Sequence, residues 1–328
     1  MGIHPLTEAI GGTGKTIIIG GAGFIGSHFT DRLLDGGAAE AVTVFDNFSS
    51  GREWHIERHL SDPRLTVVKA DVNDADALAD AVAGGGTVIH LAANPDIAGA
   101  AEQPAIDFDE GTVLTHNVLE AMRQSAGGRI LYASGSGVYG DLGEAEADEE
   151  TGPMQPISTY GASKLASEAM IAAYCHLFGL TARVFRFGNV VGPRQTHGVG
   201  LDFIAKLRRD PGRLEILGDG RQSKPYIHVD DVIDAVLLAD DKAETAFAVF
   251  NAAPGDAVTV TEIADMAVEC LGLDPEGVEY SYTGGERGWS GDVPVVRLNC
   301  DRLRSLGWTC RDTSRQAVRR SLKALAEQ

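Results

Sequence analysis

A short strand that runs directly into three evenly spaced glycines constrains the fold of this chain more than any other feature. The β-branched run at residues 16–19 predicts a buried strand, and Gly20, Gly23 and Gly26 follow it as G-x-x-G-x-x-G. The apolar spacing of residues 24–34 predicts a helix that ends at a pair of glycines. Glycines at such a turn let the backbone approach a pyrophosphate, which then faces the amino end of the helix. The stretch therefore predicts a dinucleotide-binding unit.

A second predicted strand, residues 42–46, ends in an acid that suits a dinucleotide. Asp46 lies twenty residues after Gly26. A carboxylate at this place accepts hydrogen bonds from the ribose hydroxyls of NAD and repels the 2′-phosphate of NADP. We therefore expect NAD as the cofactor, with a simple strand-end turn at Asp46-Asn47 as the structural alternative.

Strands and helices alternate through residues 15–197, which predicts a doubly wound parallel sheet. After Gly198 the elements become shorter, and Gly and Pro become more frequent. We expect an α/β fold with an NAD-binding Rossmann domain at 15–197, to which a later strand can return. A smaller, partly interleaved C-terminal α/β substrate domain is expected at 198–328, and residues 1–14 are expected to be a loose leader. Further strands are predicted at 65–70, 87–91, 129–133 and 181–187, and further helices at 109–125, 160–178 with Ser158 as its cap, 200–209, 230–239, 261–271 and 313–326.

Tyr160 and Lys164 form the candidate catalytic pair. Their spacing of four residues places both side chains on one face of a helix. A nearby ammonium favours phenolate, so we expect Lys164 to lower the pKa of Tyr160 and make it a general acid and base. A chance pairing of Tyr and Lys on a helix is the alternative.

The charge and the cysteines exclude several other classes of protein. A net charge of −19 argues against non-specific binding to nucleic acid or to an anionic membrane. No apolar run approaches the roughly 20 residues of a membrane span. Cys175, Cys270, Cys300 and Cys310 form no C-x-x-C pair and adjoin no histidine cluster, so neither a metal site nor a disulfide is expected. These features fit a reducing cytoplasm.

The residues that carry a family resemblance come in one order along the chain. After the glycine turn and Asp46 stand residues 71–72 (DV), 90–93 (HLAA), 134–140 (SGSGVYG), the Tyr160 and Lys164 pair, 187–194 (FGNVVGPR), 218–220 (GDG), 226–231 (YIHVDD) and 291–294 (GDVP). As a set they span nearly the whole chain after residue 15. The chain resembles the extended short-chain dehydrogenase/reductases. More narrowly it is similar to the NAD-dependent nucleotide-sugar epimerases and dehydratases, above all UDP-glucose and UDP-glucuronate 4-epimerases.

The resemblance implies roles for the cofactor-binding residues. The glycine turn would bind the NAD pyrophosphate, Asp46 the adenosine ribose and Asp71-Val72 the adenine. Lys164 would also hold the nicotinamide ribose, beside Tyr160 as the acid and base. The expected cofactor contacts are Gly20, Gly23, Phe24, Ile25, Gly26, Asp46, Asn47, Ser49, Gly51, Asp71, Val72, Leu91, Ala92, Ala93, Tyr160 and Lys164.

The serine turn departs from the family pattern and narrows the reaction. The hydroxyl that usually assists the tyrosine is replaced by Gly135, so Ser136 is expected to assist, with Ser134 as the alternative. Dehydratases of the family carry Asp-Glu where this chain has Ser136 and Gly137, and decarboxylases carry Glu at the second position. The absent acids favour a 4-epimerase. A 4,6-dehydratase, a deoxysugar reductase and a catalytically idle NAD-binding sensor are the alternatives.

The substrate side is expected to bind a nucleotide sugar. Arg194 follows a predicted strand with His197 close by, and its guanidinium could pair with a C6 carboxylate or grip a diphosphate. UDP-glucuronate is therefore favoured, with UDP-glucose and UDP-galactose next, and the small Val296 leaves N-acetyl sugars open. The family's helices at 109–125 and 160–178 imply a homodimer, although ordinary core packing also explains their apolar stripes. The remaining expected substrate contacts are Asn94, Ser136, Asn189, Lys224, Tyr226, Arg287 and Asp292.

Overall fold

The computed structural model describes residues 14–37, 39–96, 99–125 and 127–328, so the expected leader lies almost wholly outside the described residues. Seven parallel strands form one sheet in the order β11-β6-β5-β4-β1-β2-β3. The doubly wound α/β fold is thereby confirmed. The strands are β1 (Lys15–Ile19), β2 (Ala41–Asp46), β3 (Leu65–Lys69), β4 (Thr87–His90), β5 (Arg129–Gly135), β6 (Thr181–Phe187), β7 (Asn189–Val191), β8 (Arg213–Ile216), β9 (Ser223–Lys224), β10 (Tyr226–His228), β11 (Phe247–Ala252), β12 (Val258–Thr259) and β13 (Glu279–Tyr282).

Helices cover both faces of this sheet, as the nearly continuous burial along most of its strands requires. Ile18 packs with residues of α1 and α7, whereas Ile17 and Ile19 pack on the opposite face with residues of α4 and α5. The helices are α1 (Phe24–Asp35), α2 (Ala75–Val82), α3 (Ala105–Asp107), α4 (Leu114–Gln124), α5 (Thr159–Phe178), α6 (Val199–Arg209), α7 (Val229–Lys242), α8 (Val260–Cys270), α9 (Asp301–Ser305) and α10 (Ser314–Glu327). A π-helical segment, Phe108–Val113, joins α3 to α4.

The chain after residue 198 builds a smaller body and also completes the large sheet. In the smaller body α6, α8 and α10 pack around Phe203, Leu214, Ile263 and Val318. Three two-stranded sheets, β10-β7, β12-β9 and β13-β8, lie with them. By contrast, β11 pairs with β6, and α7 contributes to the same core as α1. The two bodies are therefore interleaved in sequence.

Two further observations concern the described residues. Within the described residues, no helix is both long enough and apolar enough to cross a membrane. All four cysteines are free thiols, and Cys175 and Cys300 are buried.

Candidate active site

The glycine turn between β1 and α1 is a place where side chains do not fit. A Cβ on Gly26 would lie 2.3 Å from the carbonyl oxygen of Gly20. Gly20 has a φ of +83°, and a Cβ there would lie 2.9 Å from the amide nitrogen of Ala92. Gly23 precedes the first residue of α1 and has no side chain to cap the helix, so the first-turn amides keep their donors for a ligand. A Cβ-free cradle at a helix amino end fits the diphosphate of NAD.

Asp46 extends this cradle from the end of β2. Its carboxylate is 7% exposed and accepts the backbone N–H groups of Ala22 at 2.9 Å and Phe48 at 2.7 Å. Burial raises the pKa of Asp46, and the two amide donors oppose that rise. Each carboxylate oxygen retains a lone pair with which to accept a ribose hydroxyl. The following loop is tied back to β3, because Asn47 donates to Asp71 at 2.8 Å.

The ends of β1 and β4 meet beside the same turn. The backbone N–H groups of Leu91 and Ala92 donate to the carbonyl oxygen of Ile19 at 2.9 and 3.1 Å. Small residues at this edge leave room for a flat ring above the sheet. Phe24, Ile25, Ser49, Gly51, Val72 and Ala93 complete the expected cofactor set, and Phe24, Gly51 and Val72 are buried.

The Tyr160 and Lys164 pair lies in the first turns of α5. Ser158 caps the helix by accepting the backbone N–H of Gly161 at 3.1 Å, as expected. The ammonium of Lys164 donates to the carbonyl oxygen of Ala133 at 2.8 Å and lies 5.5 Å from the centre of the Tyr160 ring. The pair is thereby fixed against the end of β5.

The electrostatics of this pair correct one expectation. Burial, together with the charge of Asp107, raises the pKa of Tyr160 to about 12. Burial lowers the pKa of Lys164 to about 8, while Glu168 and Asp107 act in the opposite direction. Lys164 alone therefore does not bring the phenol toward neutral pH, because desolvation of the phenolate outweighs it.

The serine turn is the 3₁₀ segment Ser136–Tyr139 and the strand end before it. Ser134 donates to Glu168 at 2.5 Å, and Glu168 forms a buried ion pair with Arg186 at 2.7 Å. The structure therefore does not support Ser134 as the assisting hydroxyl. Ser136 is half-buried and begins the turn that packs against α5, where a Cβ on Gly161 would lie 2.5 Å from the carbonyl oxygen of Gly137.

Three of the expected substrate contacts, Lys224, Arg287 and Asp292, meet on the smaller body. Lys224 forms an ion pair with Asp292, whose backbone carbonyl accepts from Arg287 at 2.5 Å. Arg287 also pairs with Asp141 at 2.6 Å, which joins the two bodies. Asn189 and Tyr226 are register partners in β7 and β10, and the backbone N–H of Asn189 donates at 2.9 Å to the carbonyl oxygen of Pro225, the residue after Lys224. Two cations and their acids are thus brought together.

Arg194 lies elsewhere, which removes the reason for placing it at the sugar. It has a left-handed φ of +63° and pairs with Asp31 of α1 at 2.5 Å. It also donates to the carbonyl oxygen of His55 at 2.8 Å, and it lines a surface cleft of about 420 Å³ with Trp54 and Arg58. The contact with a C6 carboxylate is not supported by this geometry. His197 is exposed in the loop that follows.

Asn94 is also not placed to touch a substrate. It is 4% exposed, and its amide nitrogen donates to Asp107 and to the carbonyl oxygen of Asp96, each at 2.9 Å. Its side-chain oxygen accepts the backbone N–H of Asp96. Every polar atom of this side chain is used inside the protein, so the expected substrate contact is not supported.

Two residues near Tyr160 had no role in the sequence analysis. Asp107 accepts from Thr159, the residue before Tyr160, at 2.7 Å. A Cβ on Gly291 would lie 2.3 Å from the ring of Trp289 and 3.1 Å from the Cβ of Ser158, so the smaller body touches the start of α5. No sequence signal identifies Asp107.

Comparison with known proteins agrees with this geometry. Residues 16–253 match the model of the NAD dependent epimerase/dehydratase family. The chain belongs to this family. NAD is its cofactor, and its chemistry is that of an NAD-dependent enzyme.

Three similar proteins illustrate the range of the family. A UDP-glucose 4-epimerase of Mycolicibacterium smegmatis is 33% identical over 300 residues, which are 90% of this chain and 93% of that protein. A UDP-galactose 4-epimerase of known structure is 39% identical with a TM-score of 0.84, over 95% of this chain and 99% of that one. The dTDP-glucose 4,6-dehydratase DesIV of Streptomyces venezuelae, solved with NAD bound, is 26% identical with a TM-score of 0.86, over 95% and 97% of the two chains.

Proposed function

We propose that this chain is a UDP-sugar 4-epimerase that interconverts UDP-glucose and UDP-galactose. The observation that carries the proposal is the composition of the turn beside Tyr160. Residues Ser136–Tyr139 offer a hydroxyl at Ser136 and a bare backbone at Gly137, with no carboxyl group. Tyr160 and Lys164 suffice for oxidation and reduction at C4, and nothing on this turn supplies the acid that elimination of water requires.

The chain's own residues would act as follows. Lys164 holds a positive charge beside the phenol, which favours phenolate. Tyr160 takes the proton of the C4 hydroxyl, and Ser136 orients that hydroxyl by a hydrogen bond. Bound NAD supplies the acceptor, and later the donor, of the C4 hydride, together with a positive nicotinamide ring. After the 4-keto sugar turns over, Tyr160 returns the proton to the oxygen on the opposite face. The reaction consumes no net proton or hydride.

The sugar preference follows from Arg194. UDP-glucuronate was favoured because a guanidinium could pair with its carboxylate, but Arg194 is held by Asp31 and by the carbonyl of His55. UDP-glucose and UDP-galactose need no such cation. We therefore place them first and treat UDP-glucuronate and UDP-N-acetylglucosamine as substrates to be tested.

A 4,6-dehydratase is the main competing reaction, since DesIV shares the fold. Such an enzyme needs an acid at C6, and Asp107 is a buried acid whose charge acts on Tyr160. Both of its oxygens are already used, by Asn94 and by Thr159. Asp107 is therefore poorly suited to donate a proton to a leaving hydroxyl.

A homodimer through α4 and α5 is part of the proposal. An exposed strip of small side chains runs along α5 and ends at Leu177, which is 67% exposed. Small residues permit close helix packing, as in a bundle of four helices. The strip consists of Ala162, Ala166, Ala169 and Ala173.

A cytoplasmic location stays a prediction.

The direct test is product analysis. The NAD-loaded protein is incubated separately with UDP-glucose, UDP-galactose, UDP-glucuronate, UDP-N-acetylglucosamine and dTDP-glucose, and the products are followed by proton NMR. We expect UDP-glucose and UDP-galactose to approach one common mixture from either side without net NADH. A 4-keto-6-deoxy product, or no C4 epimer from any sugar, would overturn the proposal.

Size-exclusion chromatography with light scattering tests the dimer, and a monomer at assay concentration would exclude it.

A further inference from the structure

Asp107 is a buried acid between the two parts of the active site. It is 2% exposed and lies at the end of α3. One carboxylate oxygen accepts from the side chain of Asn94 at 2.9 Å, and the other accepts from the hydroxyl of Thr159 at 2.7 Å. Asn94 follows the cofactor edge of β4, and Thr159 precedes Tyr160. Asp107 therefore joins the cofactor edge to the start of the catalytic helix.

The π-helical segment after α3 fixes the place of this acid. The carbonyl oxygen of Glu110 in that segment accepts the backbone N–H of Asn94 at 3.1 Å. Thr112 and Ser163 share a hydrogen bond of 2.9 Å, and a Cβ on Gly111 would lie 2.3 Å from the hydroxyl oxygen of Ser163. The extra residue per turn of a π segment lets one stretch reach both the Asn94 loop and α5. A backbone contact with Asn94 and side-chain contacts with Ser163 thus hold the segment after Asp107 in position.

We propose that Asp107 is a positioning residue for the Tyr160 and Lys164 pair, holding the start of α5 against the cofactor edge and supplying a fixed negative charge to both groups. The proposal rests on the proposed function, because it assigns Asp107 a part in the same proton transfer. Asp107 touches neither of the reacting atoms in this role. It acts through its hydrogen bond with Thr159 and through the electrostatic field of its carboxylate.

The charges around Tyr160 and Lys164 predict the direction in which Asp107 shifts their pKa values. Lys164 is buried, which lowers its pKa to about 8, and Asp107 and Glu168 both help it to keep its proton. Asp107 also disfavours a second negative charge on Tyr160, so it raises the pKa of the phenol as well. Removing the charge of Asp107 should therefore lower both pKa values. The titratable and charged groups that face the pair from the packed elements are Asp107 on α3, His90 on β4, Tyr132 on β5, Glu168 on α5 and, behind Glu168, Arg186 on β6.

The discriminating variant is D107N, which keeps the shape of the side chain and removes its charge. In NAD-loaded enzyme we expect both limbs of the pH profile of kcat to move to lower pH, each by roughly one unit. D109N is the matched control, because Asp109 is exposed on the same helical stretch and loses the same charge. We expect its two limbs to stay where they are in the parent enzyme. An active D107N enzyme with unmoved limbs would overturn the proposal.

A second variant separates the hydrogen bond from the charge. T159A keeps the Asp107 carboxylate but removes the donor that ties it to α5, so we expect kcat to fall roughly tenfold with both limbs in place. Unchanged kcat in T159A would rule out the positioning role. This test can be carried out even if D107N does not fold.

Direct titration makes the result independent of the reaction. The ultraviolet difference between the NAD-loaded protein and its Y160F variant reports the ionisation of Tyr160, and D107N should lower that midpoint. If no UDP-sugar is epimerised but the midpoint moves, the proposed function fails while the assignment of Asp107 stands. An unmoved midpoint removes the assignment whatever the enzyme does.

Discussion

The cofactor side and the substrate side of this site are held by different kinds of contact. On the cofactor side, backbone atoms fix Gly20, Gly26 and Asp46. A Cβ on Gly26 is excluded, because it would lie 2.3 Å from the carbonyl oxygen of Gly20. On the substrate side, Lys224 and Arg287 are held by the side chain and carbonyl of Asp292. Backbone contacts dictate which residue types fit, whereas ion pairs between side chains can exchange one partner for a ligand phosphate. The first side is therefore a fixed cradle, and the second is adaptable.

The largest expected effect lies where the two sides meet. Y160F removes the proton carrier and leaves the ring, so kcat should fall by roughly 10³-fold. Binding of NAD, measured by retention of the cofactor through gel filtration, should be unchanged. Turnover within tenfold of the parent enzyme would mean that another group carries the proton.

A substitution in the fixed cradle should damage cofactor binding before anything else. In G26A the new methyl group would collide with the carbonyl oxygen of Gly20, so the turn must shift. We expect NAD affinity to fall on the order of 10²-fold, since the diphosphate would lose a charged hydrogen bond worth about 1.5–3 kcal/mol. Calorimetric titration with NAD measures it. G212A is the control, because a Cβ there meets only a side-chain oxygen at 3.6 Å. Equal NAD affinities in the two variants would contradict the comparison.

A substitution on the adaptable side should act on substrate instead. R287A removes a cation that can turn from Asp141 and Asp292 to a diphosphate, so KM for UDP-glucose should rise roughly tenfold. NAD affinity should stay at its parent value, and R287K should restore part of the loss. A fall in NAD affinity without a change in KM would place Arg287 on the other side of the comparison.

The smallest effect is expected at Arg194. R194M removes the pairs with Asp31 and the His55 carbonyl, so the free energy of unfolding should drop by about 1–2 kcal/mol, as urea denaturation would measure. KM for UDP-glucose should stay within about twofold, which is less than the effect of losing one charged hydrogen bond. A selective rise in KM for UDP-glucuronate would return Arg194 to the sugar site.

The same contrast explains what the sequence could and could not predict. The sheet, its helices and the glycine turn follow from local rules, because a β-branched run and a Cβ-free turn leave few alternatives. Ser158 as a helix cap follows from the same kind of rule, and the structure agrees with it.

The misplaced side chains all have partners that are remote in sequence. Ser134 binds Glu168, 34 residues away, and Arg194 binds Asp31, 163 residues away. Asn94 binds Asp107, 13 residues away, and Asp107 directly precedes a π-helical segment that no periodic pattern predicts. A polar side chain takes whichever partner the fold brings near, and that choice is made only when the distant elements have packed. The pKa of Tyr160 differs from the expected direction for a related reason, since spacing along a helix says nothing about desolvation.

The return of β11 to the large sheet has a consequence for how the protein is made. β11 pairs with β6 along six residues, from Phe247 with Ala182 to Ala252 with Phe187. Until residue 252 has left the ribosome, the nascent chain presents β6 as an open edge of buried, largely apolar residues. A chain truncated after residue 197 would leave the edge of β6 permanently exposed and would be prone to pair with other chains. The sheet of the nucleotide-binding domain is thus complete only after residues 198–252 have also been translated.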